Sequence, residues 1–133
     1  MINLEIIKKI ESDGDPRAYN TRSQASGLYQ ITPIVLRDFK EFVPFLNWKP
    51  AAMQKLTTLT VDDLFDPNIN KLIAEWYLTI RIPQMLEHYK KPVTNRNILI
   101  SYNAGIAYVV NDKPLPLETV NYLKKYQALG GNL

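Results

Sequence analysis

No segment of the chain sustains the two-residue alternation of a half-buried strand. Its apolar residues recur instead at three- and four-residue spacings, broken by Pro, Asn and Gly. That period predicts helices joined by short loops, with at most a minor sheet. Residues 2–12 are expected to form the first helix. At roughly 100° per residue, Ile2, Leu4, Ile6, Ile7 and Ile10 fall on one broad face. Glu5, Lys8 and Lys9 fall on the other, with Glu5 and Lys9 spaced i,i+4. The run Ser12-Asp13-Gly14-Asp15-Pro16 stops the helix. Thr32-Pro33 reads as an N-cap followed by proline at the first helical position, opening a helix through about Phe42. Asp66-Pro67 repeats the signal ahead of Ile69, Ile73, Trp76, Tyr77 and Ile80, the spacing of a central buried helix. Pro83 should kink or end that helix, because its ring removes a donor and clashes with the preceding turn. Two further helices are expected, from about Asn95 to Tyr102, ending near Gly105, and from about Leu117 to Leu129, closed by Gly130 in a left-handed conformation.

The 133 residues, 46% of them hydrophobic, are enough to bury one core, so a single domain over residues 1–133 is expected. No apolar run approaches the roughly 20 residues of a membrane span. The amphipathic start, with Glu5 so early, does not read as a secretory signal. The chain has no cysteine, which excludes disulfides, thiol nucleophiles and thiolate metal sites. Its one histidine, His88, excludes a histidine metal cluster and leaves a Ser-His-Asp triad only if His88 supplies the base. Sitting among Glu87, Tyr89 and two lysines, His88 reads as a surface residue. The net charge of +3 suits a polyanionic partner, but weakly. Lys8-Lys9, Lys90-Lys91 and Lys124-Lys125 are scattered pairs rather than one basic face, so nucleic acid is not the expected partner.

Glu11 breaks the helical pattern. On the first helix it projects between Leu4 and Ile7, inside the apolar arc. Burial without a cation disfavours the charged form of a carboxyl and raises its pKa. A carboxyl that keeps its proton near neutral pH is what a glycosidase acid requires. Taken from position alone, Glu11 reads first as a partly solvated helix end, since most lone carboxylates do no chemistry.

The neighbouring residues add to that reading. Glu11-Ser12, Asp15-Pro16 and Gly27-Leu28-Tyr29-Gln30 stand in the order of the soluble lytic transglycosylase (SLT) signature, where a catalytic Glu-Ser precedes a Pro-bearing loop and a Gly-Leu-Met-Gln turn. Residues 63–78 resemble the family's Asp-Pro-x-x-Asn-Ile helix. Residues 101–105, Ser-Tyr-Asn-Ala-Gly, are similar to its Ala-Tyr-Asn-Ala-Gly motif, and residues 115–125 to its closing Glu-Thr-x-x-Tyr block. Each block is weak alone; four in order cover nearly the whole chain. There are three departures. Tyr29 stands where the family has Met, Ser101 where it has Ala, and the spacing from Glu11 to Gly27 is one residue long, which puts the loop serine's place near Asn20 or Thr21.

The resemblance implies a mainly helical, lysozyme-like single domain of about six to eight helices around a glycan-binding cleft, with little or no sheet. It implies that Glu11 is both acid and base for cleavage of peptidoglycan, without metal or cofactor, by a monomer acting on the cell wall. Tyr102 is the residue whose family counterpart reaches the catalytic carboxyl and the scissile sugar. Ser26, Gly27, Leu28, Tyr29 and Gln30 are expected to bind substrate. Gly27 would allow close backbone approach, Gln30 would offer donor and acceptor to an acetamido group, and Tyr29 would stack on a sugar face, against the simpler reading of Tyr29 and Tyr102 as core residues. Asn103 and Tyr122 are further candidates, against the simpler readings that Asn103 braces its own turn and Tyr122 is core. Asp13 and Asp15 read first as turn formers. If one of them positions water, the chain is instead a muramidase resembling goose-type lysozyme. A cell-wall-binding or virion module without turnover is the alternative outside enzymes. With no secretory signal expected, a phage-borne or otherwise exported protein fits best.

Overall fold

The computed structural model describes residues 1–45 and 50–133, and the side chains of all of these except 50–53. The protein is mainly helical: α1 (Leu4–Ser12), α2 (Pro33–Phe42), α3 (Pro50–Thr57), α4 (Pro67–Trp76), α5 (Ile82–His88), α6 (Asn95–Ala104), α7 (Ala107–Val110) and α8 (Leu117–Ala128). Short 3-10 turns cover Val43–Phe45 and Val61–Phe65. Among the described residues no strand forms. Extended pairing is confined to the isolated bridges Tyr19–Ser26 and Ser26–Ile31.

Helix ends lie where local chemistry can satisfy the backbone groups that a helix leaves open. Thr32 Oγ1 accepts from the Val35 N–H, with Pro33 at the first helical position. Asp66 Oδ1 accepts from the Asn68 and Ile69 N–H groups at 2.8 and 3.2 Å and starts α4. Two caps went unanticipated: Asn3 Oδ1 takes the Glu5 and Ile6 N–H groups, and Thr94 Oγ1 takes the Asn97 N–H. Asn3 therefore trims the first helix to begin at Leu4. At the end of α8, Gly130 adopts φ +100°, and the Gly130 and Gly131 N–H groups reach back to the Gln127 and Tyr126 carbonyls. That pair of bonds is a Schellman closure, which favours glycine at the left-handed position.

The chain forms two compact units, one of residues 1–10 with 75–133 and one of residues 11–74. In the first, α6 packs on α5, α7 and α8. The N-terminal segment is tied in by the Asn3 N–H, which donates to the Tyr126 hydroxyl at 2.9 Å. Asn95 Nδ2 donates to the carbonyls of Met1 and Asn132, fastening both chain ends to the start of α6. Ile6, Ile7, Leu78, Ile82, Leu86, Leu99 and Tyr126 are among its buried side chains. In the second unit, α2 packs on α3, and Tyr29, Ile31, Phe39, Val43, Leu64 and Ile73 are buried. Fully burying each such side chain contributes roughly 1.5–3 kcal/mol relative to exposure.

Pro83 does not end its helix. The helical run continues from α4 through a π turn at Tyr77–Arg81 into α5, where the Ile82 N–H bonds to the Tyr77 carbonyl. The wider turn takes up the disruption that a proline ring causes one turn upstream. It also resets the apolar stripe. Ala74, Leu78, Ile82 and Leu86 are buried at four-residue spacing, whereas Ile80, expected on the buried face, is 40% exposed. Trp76 is buried and Tyr77 half-buried.

Candidate active site

Glu11 is the penultimate residue of α1 and is half-buried. It shares a face with Ile7, one turn earlier and fully buried. Ser12 ends the helix, and its Oγ accepts from the Gly14 N–H at 3.2 Å. Asp13 is exposed with φ +53°. Asp15 is also exposed, and its Oδ1 accepts from the Arg17 N–H at 2.9 Å. Asp15 is thus a turn former. Asn20, near the place of the family's loop serine, does similar work: its Oδ1 accepts from the Arg22 and Ser23 N–H groups.

The turn at residues 26–30 is held from within the unit of residues 11–74 by Asn70, which is fully buried. Asn70 Oδ1 accepts from the Tyr29 N–H at 2.8 Å, and Nδ2 donates to the Ser26 and Leu64 carbonyls at 2.8 and 2.9 Å. One amide therefore satisfies three buried backbone groups. Gly27, at φ +81°, lies against this amide: a Cβ there would overlap Asn70 and the Leu64 carbonyl. The missing side chain makes room for Asn70 and not, as expected, for a substrate.

Other expectations for the turn change in the same way. Tyr29 is 0% exposed and is core, so its ring offers no face for a sugar. Its place in the turn is inward because the Asn70 bond pulls its backbone against α4. Gln30 adopts φ +53° and is half-buried. Its Nε2 donates to the Ala18 and Gly27 carbonyls, so only Oε1 is left to meet a ligand. Ser26 is buried; its backbone pairs with Ile31, and its Oγ donates to the Gln24 carbonyl. Leu28 is half-buried.

The remaining candidates lie in the other unit. Tyr102, on α6, is half-buried, with its ring centroid 5.9 Å from that of Tyr77 in the π turn. Asn103 does not brace its own turn. Its Oδ1 accepts from the Thr119 hydroxyl at 2.7 Å and links α6 to α8. Tyr122 is 5% exposed, a core residue of α8. His88 is exposed and meets the Tyr89 ring edge-on at 4.9 Å.

Asn70 and Thr119 were missed as structural keys to these motifs. For Asn70 there was a signal: a polar residue stands on the stripe that continues as Ile73 and Ala74. Thr119 gave none, because its partner is 16 residues away. Among the described residues no three His, Cys, Asp or Glu side chains gather as metal ligands. No helix among them is long and apolar enough to cross a membrane.

The chain is helical, with a half-buried glutamate in the last turn of its first helix, followed by an asparagine-pinned Gly-Leu-Tyr-Gln turn. Residues 3–115 match the transglycosylase SLT domain family, and the chain belongs to that family. The family is one of lytic transglycosylases, whose substrate is the peptidoglycan of the cell wall. No curated protein and no solved structure gives a significant match.

Proposed function

We propose that the protein cleaves the β-1,4 bond between N-acetylmuramic acid and N-acetylglucosamine without water, with Glu11 as the only acid and base. The observation that carries this reading is the half-burial of Glu11 at the end of α1, in a chain of the SLT family. A carboxyl at that position can give a proton to a glycosidic oxygen and take one back later in the same reaction.

In the proposed reaction the Glu11 carboxyl gives its proton to the glycosidic oxygen as the bond from the muramic acid C1 breaks. Positive charge at C1 is stabilised by the substrate's own N-acetyl group. The Glu11 carboxylate then removes the proton from the muramic acid 6-hydroxyl, and O6 closes on C1. The product is a 1,6-anhydro ring, and Glu11 regains its starting proton. Because no water enters, the second carboxylate of ordinary glycosidases is unnecessary.

The same proposal treats residues 1–133 as one catalytic domain, acting as a monomer on exported or phage-delivered terms. Of the turn, it retains Gln30 Oε1 and Leu28 as substrate contacts.

Glu11→Gln is expected to fold with an unchanged melting temperature and to lose at least about 100-fold in clearing of purified peptidoglycan. Wild-type digestion products should be lighter by one water than hydrolytic muropeptides on mass spectrometry. Retained clearing by the variant sinks the Glu11 assignment. Ordinary reducing ends would mark a muramidase, and no cleavage at all by the wild type a binding module.

A further inference from the structure

Within the unit of residues 11–74, Tyr19, Gln24 and Ser26 face Val61, Asp62 and Phe65 across a cavity of about 360 Å³. That volume falls within the roughly 300–1,000 Å³ of small-ligand sites. The Tyr19 ring is 52% exposed, and its centroid lies 6.5 Å from that of Phe65, with the rings tilted by 47°. Val61 is exposed beside them, and Asp62 is exposed as well.

Both walls are braced before any ligand arrives. The Asn20 N–H bonds to the Ala25 carbonyl and the Gln24 N–H to the Asn20 carbonyl, at 2.9 and 2.7 Å. Ser23 Oγ accepts from the Ala25 N–H. On the opposite wall, Asp63 accepts from the Thr60 N–H at 2.7 Å and from the Thr60 hydroxyl at 3.2 Å, which orders the turn that carries Val61, Asp62 and Phe65. Gln24 has φ +60°, a backbone region that non-glycine residues rarely hold. A glycine would relax that residue, yet the position carries an exposed amide at the cavity rim.

We propose that this cavity is a subsite for one N-acetylhexosamine ring of the glycan strand. A pyranose presents an apolar face of C–H groups and a rim of equatorial polar groups. The Tyr19 face suits the first, and the Asp62 carboxylate and Gln24 amide suit the second. Val61 gives the acetamido methyl an apolar contact. Ser26, in the cavity wall, is also the first residue of the Asn70-pinned turn, so the cavity adjoins that turn. The identity of the ligand rests on the glycan-cleaving reading above.

The test is titration of the wild-type protein with the N-acetylglucosamine tetramer, followed by calorimetry and by amide and side-chain NMR. Signals of Tyr19, Gln24, Val61 and Phe65 should shift. Tyr19→Ala should weaken binding about tenfold, the scale of one aromatic contact. Gln24→Gly should weaken it several-fold while holding or raising the melting temperature, an outcome that a purely structural Gln24 does not give. Unchanged affinity in both variants, or shifts confined to other residues, overturns the subsite. Glu11→Gln assayed in parallel separates the two readings. Loss of turnover there with unaltered affinity in Tyr19→Ala removes the subsite alone. Retained turnover there with weakened binding in Tyr19→Ala removes the catalytic assignment and keeps the subsite.

Discussion

The turn at residues 26–30 and the Tyr102-Asn103 stretch of α6 both carry family motifs, and both lean on an asparagine, but the two asparagines do different work. Asn70 is fully buried and serves three backbone groups on two segments, Ser26–Tyr29 and Leu64. Asn103 is half-buried and exchanges one side-chain bond with Thr119. A buried polar group with every partner supplied makes geometry nearly obligatory, because any shift strands donors and acceptors away from water. A half-exposed group can trade its partner for water, so its neighbourhood tolerates change. The Gly-Leu-Tyr-Gln turn is therefore the rigid part of this molecule's motif set, and the α6 motif the forgiving one.

The largest effect expected from that contrast is Asn70→Ala. It orphans the Tyr29 N–H and the Leu64 carbonyl and leaves the Ser26 carbonyl only its bond from the Ile31 N–H, at a combined cost of about 3–5 kcal/mol. Urea unfolding at constant slope measures it, and a loss under about 1 kcal/mol would put Asn70 on a level with Asn103. Gly27→Ala comes next, at about 2–4 kcal/mol, from the positive φ together with overlap on Asn70 and the Leu64 carbonyl. In the double variant the two costs should sum to less than their separate total, because shortening Asn70 removes one of the clashing groups. Strict additivity would break the link between Gly27 and Asn70. Thr119→Val should cost only about 1 kcal/mol, since a partly exposed Asn103 recovers a water bond. Tyr102→Phe should slow cleavage of peptidoglycan more than it lowers the melting temperature. The reverse pattern would make Tyr102 a packing residue like Tyr122.

Much of the candidate site was legible only as a set of positions. Glu11 stood out because a carboxylate on an apolar arc is visible in the residue order alone. The turn stood out because its residue types resemble a known signature. Their roles were less legible. Tyr29 in a glycan-binding motif suggested a stacking platform, and the structure buries its ring instead. Gln30 promised a donor and an acceptor, and the donor is taken by Ala18 and Gly27 carbonyls. Each error came from reading a side chain's chemistry without knowing which backbone groups lay beside it.

Residue order by itself determined the helical class and several helix ends. Thr32-Pro33, Asp66-Pro67 and Gly130 act through bonds to residues within a few positions, and such bonds need nothing from the rest of the fold. Tertiary structure alone decided what is buried and what pairs at a distance. Asn70 meets Tyr29 across 41 residues, Thr119 meets Asn103 across 16, and the π turn before Pro83 moves Ile80 out to solvent. Caps are settled by local hydrogen-bond demand, whereas these outcomes depend on which segments close upon one another, and no short stretch of sequence carries that information.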